Sequence, residues 1–284
     1  MNHRAVLGID AAWTLTQPSG VALVARRGSR WHLIAVAASY QRFLAAAGSF
    51  DAEKVPSGAA PDATALLSAA WRLAGVPVDL VAVDMPLARS PIVGRRVSDN
   101  AVSRAYGGRK CGTHTPNALR PGPVSDTLLE GFADAGYPLQ TGPLLPPGLI
   151  EVYPHPALVE LTGAPERLPY KASKVRIYWP SCTAVERRAR LHRQWSELVA
   201  RLDAELVGVQ AAMPPLDVTA TGAEMKAYED ALDAIVCAWV GLCALEGRAV
   251  PFGDSNSAIW IPAPTAPSSV PRRTDPQPAM STSI

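Results

Sequence analysis

The sequence contains little of what holds small secreted domains together. Only four cysteines occur among its 284 residues, and they form neither a CxxC pair nor the regular spacing of a disulfide framework. We therefore interpret them as reduced thiols in the core or at the surface.

The sequence also lacks a dominant charge and a long apolar run. Its formal net charge is +2, so polyanion binding must come from local patches rather than from a field of the whole protein. No apolar run reaches the roughly 18 residues that cross a bilayer, and the first residues lack the apolar region of a signal peptide. We expect a cytoplasmic protein without a membrane partner.

What the sequence does have is apolar content, 48% of its residues, which is enough for a full-sized core. One large domain over residues 1–262 fits this length better than two equal domains. Residues 263–284 are rich in Pro, Ser and Thr, and they are predicted to form a disordered tail.

Apolar runs of strand length are separated by turns and by segments of helical pattern, and we predict an α/β fold. The predicted strands cover residues 5–10, 20–26, 31–38, 79–84 and 149–153, and residues 258–262 are predicted to form a last extended segment. The first three should form an antiparallel meander, and the fourth is typical of a buried parallel strand. Residues 86–147 lack sustained periodicity and are predicted to be a long insertion between the fourth and fifth strands.

Two later helices carry clear signals at their N-termini. Thr183 with Glu186, and Thr221 with Glu224, each have the spacing of a capping box. The second of these helices is predicted to end at Gly247, because glycine is the preferred residue after a helix.

Two of the predicted strands end in an aspartate, Asp10 and Asp84. If the meander lies on one side of the first strand and the strand ending at Asp84 on the other, the strand order switches there. Sheets of this kind bind ligands at such a point, so both carboxylates should face one crevice. The alternative is that each aspartate only forms a turn at a strand end.

A second pair of acids lies in the last helix, where Asp233 interrupts an apolar segment and Asp230 precedes it by one turn. A buried carboxylate is costly unless it is paired or bound to metal, and no Lys or Arg lies within one turn of Asp233. The alternative is that Asp233 accepts hydrogen bonds from a distant arginine.

Asp10, Asp84, Asp230 and Asp233 are therefore our predicted metal ligands. Mg²⁺ and Mn²⁺ prefer oxygen ligands, and four carboxylates suit a site with two ions. Such a pair of ions can activate water and stabilise the leaving oxygen when a phosphodiester is hydrolysed.

Several motifs together resemble the domain-of-unknown-function family 429, which is regarded as a family of predicted nucleases in the ribonuclease H-like superfamily. The motifs are Gly8-Ile9-Asp10-Ala11-Ala12-Trp13, Pro18-Ser19-Gly20, Val83-Asp84-Met85-Pro86, Thr113-His114-Thr115-Pro116, Glu151-Val152-Tyr153-Pro154-His155-Pro156, Tyr170-Lys171 and Asp230-Ala231-Leu232-Asp233-Ala234. The last of them is similar to the helix signature of Holliday-junction resolvases. The resemblance implies a mixed sheet of five strands in the order 3-2-1-4-5, flanked by helices, and a metal-dependent nuclease that acts on DNA or RNA.

Ribonuclease H proper carries a further acid on its first helix, and residues 62–74 hold none beyond Asp62. Glu151 is the candidate for that place, the alternative being an exposed glutamate that opens a turn. His155 and His114 are candidates for an acid, a base or a phosphate contact near neutral pH, the alternative being a packing role.

Basic residues are concentrated between residues 89 and 120, next to the strand that ends at Asp84. This stretch is predicted to guide a phosphate backbone into the crevice. The predicted nucleic-acid ligands are Arg95, Arg96, Arg109, Lys110, His114 and Lys171.

Two other functions compete with a nuclease. A non-catalytic nucleic-acid-binding module could keep the same fold. The Gly8-Ile9-Asp10 motif is also similar to the first phosphate loop of actin-like ATPases and sugar kinases, although no second glycine-rich nucleotide loop is found.

Overall fold

The structure, a computed structural model, describes residues 4–48 and 55–264. Almost all of the predicted tail over residues 263–284 therefore lies outside the described residues.

The strands form one mixed sheet, which has eight strands where five were predicted. They are β1 (Ala5–Asp10), β2 (Gly20–Arg27), β3 (Arg30–Ala37), β4 (Leu80–Val83), β5 (Gly148–Val152), β6 (Leu206–Val207), β7 (Ala249–Gly253) and β8 (Ala258–Pro262). Their order across the sheet is β6-β3-β2-β1-β4-β5-β8-β7. Strand β1 is antiparallel to β2 and parallel to β4, so the chain direction changes on either side of β1.

Helices flank the sheet, which makes the protein an α/β protein. They are α1 (Tyr40–Ala46), α2 (Ala63–Ala74), α3 (Val97–Tyr106), α4 (Pro123–Asp134), α5 (Pro154–Thr162), α6 (Val175–Tyr178), α7 (Ala184–Glu205), α8 (Val209–Ala212) and α9 (Gly222–Leu245). Both predicted capping boxes are confirmed at the starts of α7 and α9.

The segment over residues 86–147 contains the helices α3 and α4, whose pattern was missed in the sequence. Helix α3 buries only Val102 and Tyr106 among its apolar residues, together with the polar Ser98 and Asp99. A helix with so few buried apolar residues leaves a weak periodic signal.

Each face of the sheet carries its own core, because side chains alternate between the two faces of a strand. Along β1, Val6 packs in the core that contains α7 and α9. Leu7 and Ile9, which point to the other face, pack in the opposite core with α2 and α4. Strand β4 alternates in the same way, and its Ala82 shares the face of Val6.

Helix α9 lies unusually close to β1 and β2, and two glycines allow the approach. A Cβ atom at Gly8 would overlap the backbone of Ala234 and Ala238, and one at Gly20 would overlap the backbone carbonyl of Asp230. The sheet can therefore accept α9, with its acids, directly against the end of β1.

In the described part of the chain, no helix combines the length and the apolar character that crossing a bilayer requires.

Candidate active site

Asp10 and Asp84 lie side by side at the ends of two parallel strands. The register pairs Gly8 with Ala82 and Ile9 with Val83, and the amide of Asp84 donates to the carbonyl oxygen of Ile9 at 2.9 Å. Asp10 and Asp84 each come one residue after the pair Ile9 and Val83, on the strand face that α9 covers. Their side chains are partly exposed at a cleft.

Helix α9 brings Asp230 and Asp233 to the same place, and both are fully buried. Burial, together with the carboxylates of Asp233, Asp230 and Asp84, holds the pKa of Asp10 well above its usual range, although the Lys171 ammonium opposes them. The four predicted acids are therefore close enough in the structure to repel one another.

The two acids of α9 have partners that the sequence did not reveal. Asp233 accepts a hydrogen bond from the Tyr170 hydroxyl at 2.8 Å and forms an ion pair with the Lys171 ammonium. Asp230 forms an ion pair with Lys226, one turn earlier on the same helix. The buried partner of Asp233 is thus a lysine and a tyrosine rather than an arginine.

Asp10 and Asp84 have no comparable partner, since no side chain in residues 4–48 and 55–264 donates a hydrogen bond or forms an ion pair with either carboxylate. Burial raises the pKa of Asp84 to about 7, against the neighbouring Lys171 ammonium. The oxygen Oδ2 of Asp230 is also buried without a hydrogen-bond partner. Negative charge is therefore left uncompensated at this end of the cleft.

Glu229 adds a fifth carboxylate to the cluster. It lies 3.5 Å from the Lys171 ammonium and accepts a hydrogen bond from the backbone amide of Ala172. Five carboxylates thus face the two ammonium groups of Lys171 and Lys226. Within the described ranges, however, no three His, Cys, Asp or Glu side chains are arranged so that they could hold a metal ion by themselves.

Glu151 is held in a buried ion-pair network that borders the same cavity as Asp84. It sits on β5 next to Ile150 and Val152, which face α9, so its own side chain leaves on the opposite face. Its carboxylate binds the Arg96 guanidinium at 2.6 and 2.7 Å and accepts from the backbone amide of Leu87. Arg96, a predicted nucleic-acid ligand, is only 7% exposed and is held inside this network.

Three further predicted nucleic-acid ligands of this loop, Arg95, Arg109 and Lys110, also have protein partners. Arg109 forms an ion pair with Glu160 at 2.5 Å, and Lys110 with Glu166 at 2.7 Å. Arg95 is exposed and donates to the side chain of Asn100. None of these three cations lines the two cavities beside the acids.

The cleft consists of two adjoining cavities that share five lining residues. The shared residues are Trp13, Asp84, His114, Lys171 and Lys226. One cavity contains Asp10 and Asp230. The other, of about 320 Å³, contains Glu151 and Glu229 and reaches the start of α5.

The two predicted histidines line this second cavity. His155 is 7% exposed and contacts the Arg167 guanidinium through Nε2. Burial, followed by the charges of Lys171 and Arg167, lowers the pKa of His155 well below its usual value, so the ring is neutral near pH 7. His114 is exposed and contacts Trp13 edge-on, with ring centroids 6.5 Å apart.

Sequence reasoning missed Lys226, Glu229 and Arg167. Lys226 could have been found, because it precedes Asp230 by four residues, a spacing that places two side chains together on a helix. Arg167 has no such local signal, since it reaches His155 only through the fold.

Fold and site together define an α/β protein with an acidic cleft at the carboxyl ends of two parallel strands, β1 and β4. The chain belongs to the family described as "protein of unknown function (DUF429)", whose model matches residues 8–257. Comparisons with curated proteins and with solved structures give no match.

Proposed function

We propose that the protein is a metal-dependent nuclease that hydrolyses phosphodiester bonds of DNA or RNA at the acidic cleft. One observation carries the proposal: Asp10 and Asp84 end adjacent parallel strands and face a cleft without a protein partner, inside a cluster whose other acids are paired. The run β3-β2-β1-β4-β5 within the sheet supports a ribonuclease H-like core.

The residues of the cluster fit a divalent cation. Mg²⁺ is usually held by one or two carboxylates, with waters and substrate phosphates completing its shell. Asp10 and Asp84 would supply the carboxylates. Oδ2 of Asp230, a buried oxygen without a hydrogen-bond partner, would be the candidate for a further ligand. Because Lys226 and Lys171 already neutralise Asp230 and Asp233, the proposal needs one ion rather than two.

A bound Mg²⁺ or Mn²⁺ would supply a Lewis acid for the phosphodiester and lower the pKa of a bound water. The chain itself contributes position and charge. Tyr170 and Asp233 fix the Lys171 ammonium between the two cavities, where it lies over the Tyr170 ring at 5.0 Å. An ammonium held there can stabilise the negative charge of a phosphate in the cleft.

The test is cleavage of labelled single-stranded, duplex and branched DNA and RNA with Mg²⁺ or Mn²⁺. We expect cleavage that disappears in EDTA and that Asp10→Asn and Asp84→Asn each abolish. Asp134→Asn, an exposed acid at the end of α4, is the matched control and should keep full activity. Cleavage that survives in EDTA would contradict the metal site.

A non-catalytic nucleic-acid-binding module is the second candidate, and one observation favours it. Lys171 and Lys226 already form ion pairs with Asp233 and Asp230 of α9, so these two ammonium groups could hold a phosphate without a metal. In that case nucleic acid should bind equally well with Mn²⁺ and in EDTA, and no substrate should be cleaved.

A further inference from the structure

The cavity of about 320 Å³ beside Asp84 is lined by three further acids, Asp99, Glu151 and Glu229, and each of them already forms an ion pair with a basic side chain. The same cavity is lined by a group of hydrogen-bond donors, which we call the donor pocket: His155, Arg167, Lys171, Lys174 and Ser173. The start of α5 also borders it, and the N-terminus of a helix carries partial positive charge.

Two cations of the donor pocket lack a counter-charge. In the part of the chain that the structure describes, Arg167 and Lys174 form no ion pair with any carboxylate. By contrast Arg96, which lines the same cavity, and Arg109 and Lys110, which do not, each have an acidic partner within 4.0 Å. Burial and the neighbouring Arg167 and Lys171 lower the pKa of Lys174, as expected where positive charge is concentrated.

His155 provides an independent sign that an acceptor is needed. A guanidinium only donates hydrogen bonds, so Nε2 of His155 must accept from Arg167, and the neutral ring then carries its proton on Nδ1. That Nδ1 is buried, and no described residue accepts from it. Buried donors are rarely left without an acceptor in a folded protein, so this N–H adds to the excess of donors around the pocket.

From this arrangement we propose that the donor pocket binds a phosphomonoester, the doubly charged phosphate found at the end of a nucleic-acid strand or in a nucleoside monophosphate. Two unpaired cations and an unsatisfied N–H match a dianion better than the single charge of an internal phosphodiester. The volume lies at the lower end of the range of about 300–1,000 Å³ for small-molecule sites, so it suits one terminal group rather than a duplex.

The proposal deepens the proposed function by naming the group that the substrate presents, and it rests on that function only for the position of the cleaved bond. A terminal phosphate in the donor pocket would place the neighbouring part of the strand toward Asp84, which lines both cavities. Cleavage would then start from a strand end.

The test measures binding of the full chain in EDTA, so that it does not depend on a metal or on catalysis. Fluorescence anisotropy compares one single-stranded oligonucleotide with a 5′-phosphate, a 3′-phosphate or hydroxyls at both ends. A competition arm uses a nucleoside monophosphate against the matching nucleoside. We expect a phosphorylated ligand to bind at least about tenfold more tightly than its hydroxyl counterpart, since hydrogen bonds to charged groups are the stronger ones.

Arg167→Gln and Lys174→Gln should each remove most of this preference. Arg176→Gln is the matched control, because Arg176 is exposed on the neighbouring helix α6 and does not line the pocket. If the phosphorylated oligonucleotide binds more tightly than its hydroxyl form, and the monophosphate gains less over its nucleoside, the pocket binds strand ends. If the monophosphate gains as much over its nucleoside as the phosphorylated oligonucleotide gains over its hydroxyl form, the pocket binds free nucleotides. Equal binding of phosphorylated and hydroxyl ligands in both arms would overturn the proposal, whatever the cleavage assay shows.

Discussion

At the residue scale, the carboxylate of Asp233 shows how an acid that resembles a metal ligand can be held by the protein itself. It lies fully buried between the Tyr170 hydroxyl and the Lys171 ammonium. Asp10 has neither kind of partner and is surrounded by other acids. The two aspartates should therefore respond oppositely when their charge is removed without metal.

We expect Asp233→Asn to destabilise the protein in EDTA by about 3 kcal/mol, because Lys171 would lose its close buried partner. Asp10→Asn should leave the free energy of unfolding unchanged or raise it, because the substitution removes repulsion among carboxylates. Urea unfolding of both variants beside the wild type measures the difference. An Asp233→Asn variant as stable as the wild type would contradict the ion pair.

At the scale of elements, the site depends on how closely α9 packs on β1 and β2. The helix begins with a capping box at Thr221 and Glu224, and its central residues are buried on all sides. Its approach is possible because Gly8 and Gly20 present no side chain to it. The acids of α9 therefore reach Asp10 only through a contact between backbones.

Gly8→Ala should destabilise the protein by about 1–3 kcal/mol or more, because the new methyl group would push α9 away from β1. The same substitution should weaken any stabilisation that Mn²⁺ gives, since Asp10 and α9 would separate. Gly222→Ala is the matched control at the first residue of α9, where a Cβ meets open space, and it should be neutral or slightly stabilising. Thermal unfolding of both variants decides the matter, and equal melting temperatures would contradict the close packing.

At the scale of the whole molecule, the concentration of carboxylates should appear in the dependence of stability on pH. Burial raises the pKa of Asp84 to about 7, whereas an aspartate in the unfolded chain titrates near 3.8. The folded protein therefore holds a proton that the unfolded chain has lost, and the stability this proton contributes disappears as the pH rises through about 7.

The Asp84 carboxyl group alone should consequently cost the metal-free protein about 1 kcal/mol of stability between about pH 6.5 and 8. Glu151, whose pKa burial also raises to about 7, should add to this loss. His155, whose pKa is lowered by burial, is neutral in the folded state, whereas a histidine in the unfolded chain is still half protonated at pH 6.5. It therefore offsets part of this loss, and comparison with the Asp84→Asn variant isolates the contribution of the carboxyl group. The Asp84→Asn variant should show a flatter profile in EDTA. With Mn²⁺ the wild type should instead become more stable as the pH rises, because metal and proton compete for the same carboxylates.

The sequence by itself determined the elements whose signals are local. The strands ending at Asp10 and Asp84 are continuous apolar runs, and α7 and α9 begin at capping boxes, so their positions follow from spacing along the chain. The helices α3 and α4 were not predicted, because few of their residues are apolar and buried. Short strands such as β6 were not predicted either, because they depend on pairing with a distant strand.

Only the tertiary structure decided which charges meet. Asp10, Asp84 and the acids of α9 were expected together, but the partners that neutralise Asp233 come from a segment more than sixty residues away. Glu151 lines the same cavity as Asp84, but its carboxylate is held by Arg96, because one step along a strand turns a side chain to the other face of the sheet. Ion pairs between distant segments carry no periodicity in the sequence, since they depend on strand order and helix packing rather than on local spacing.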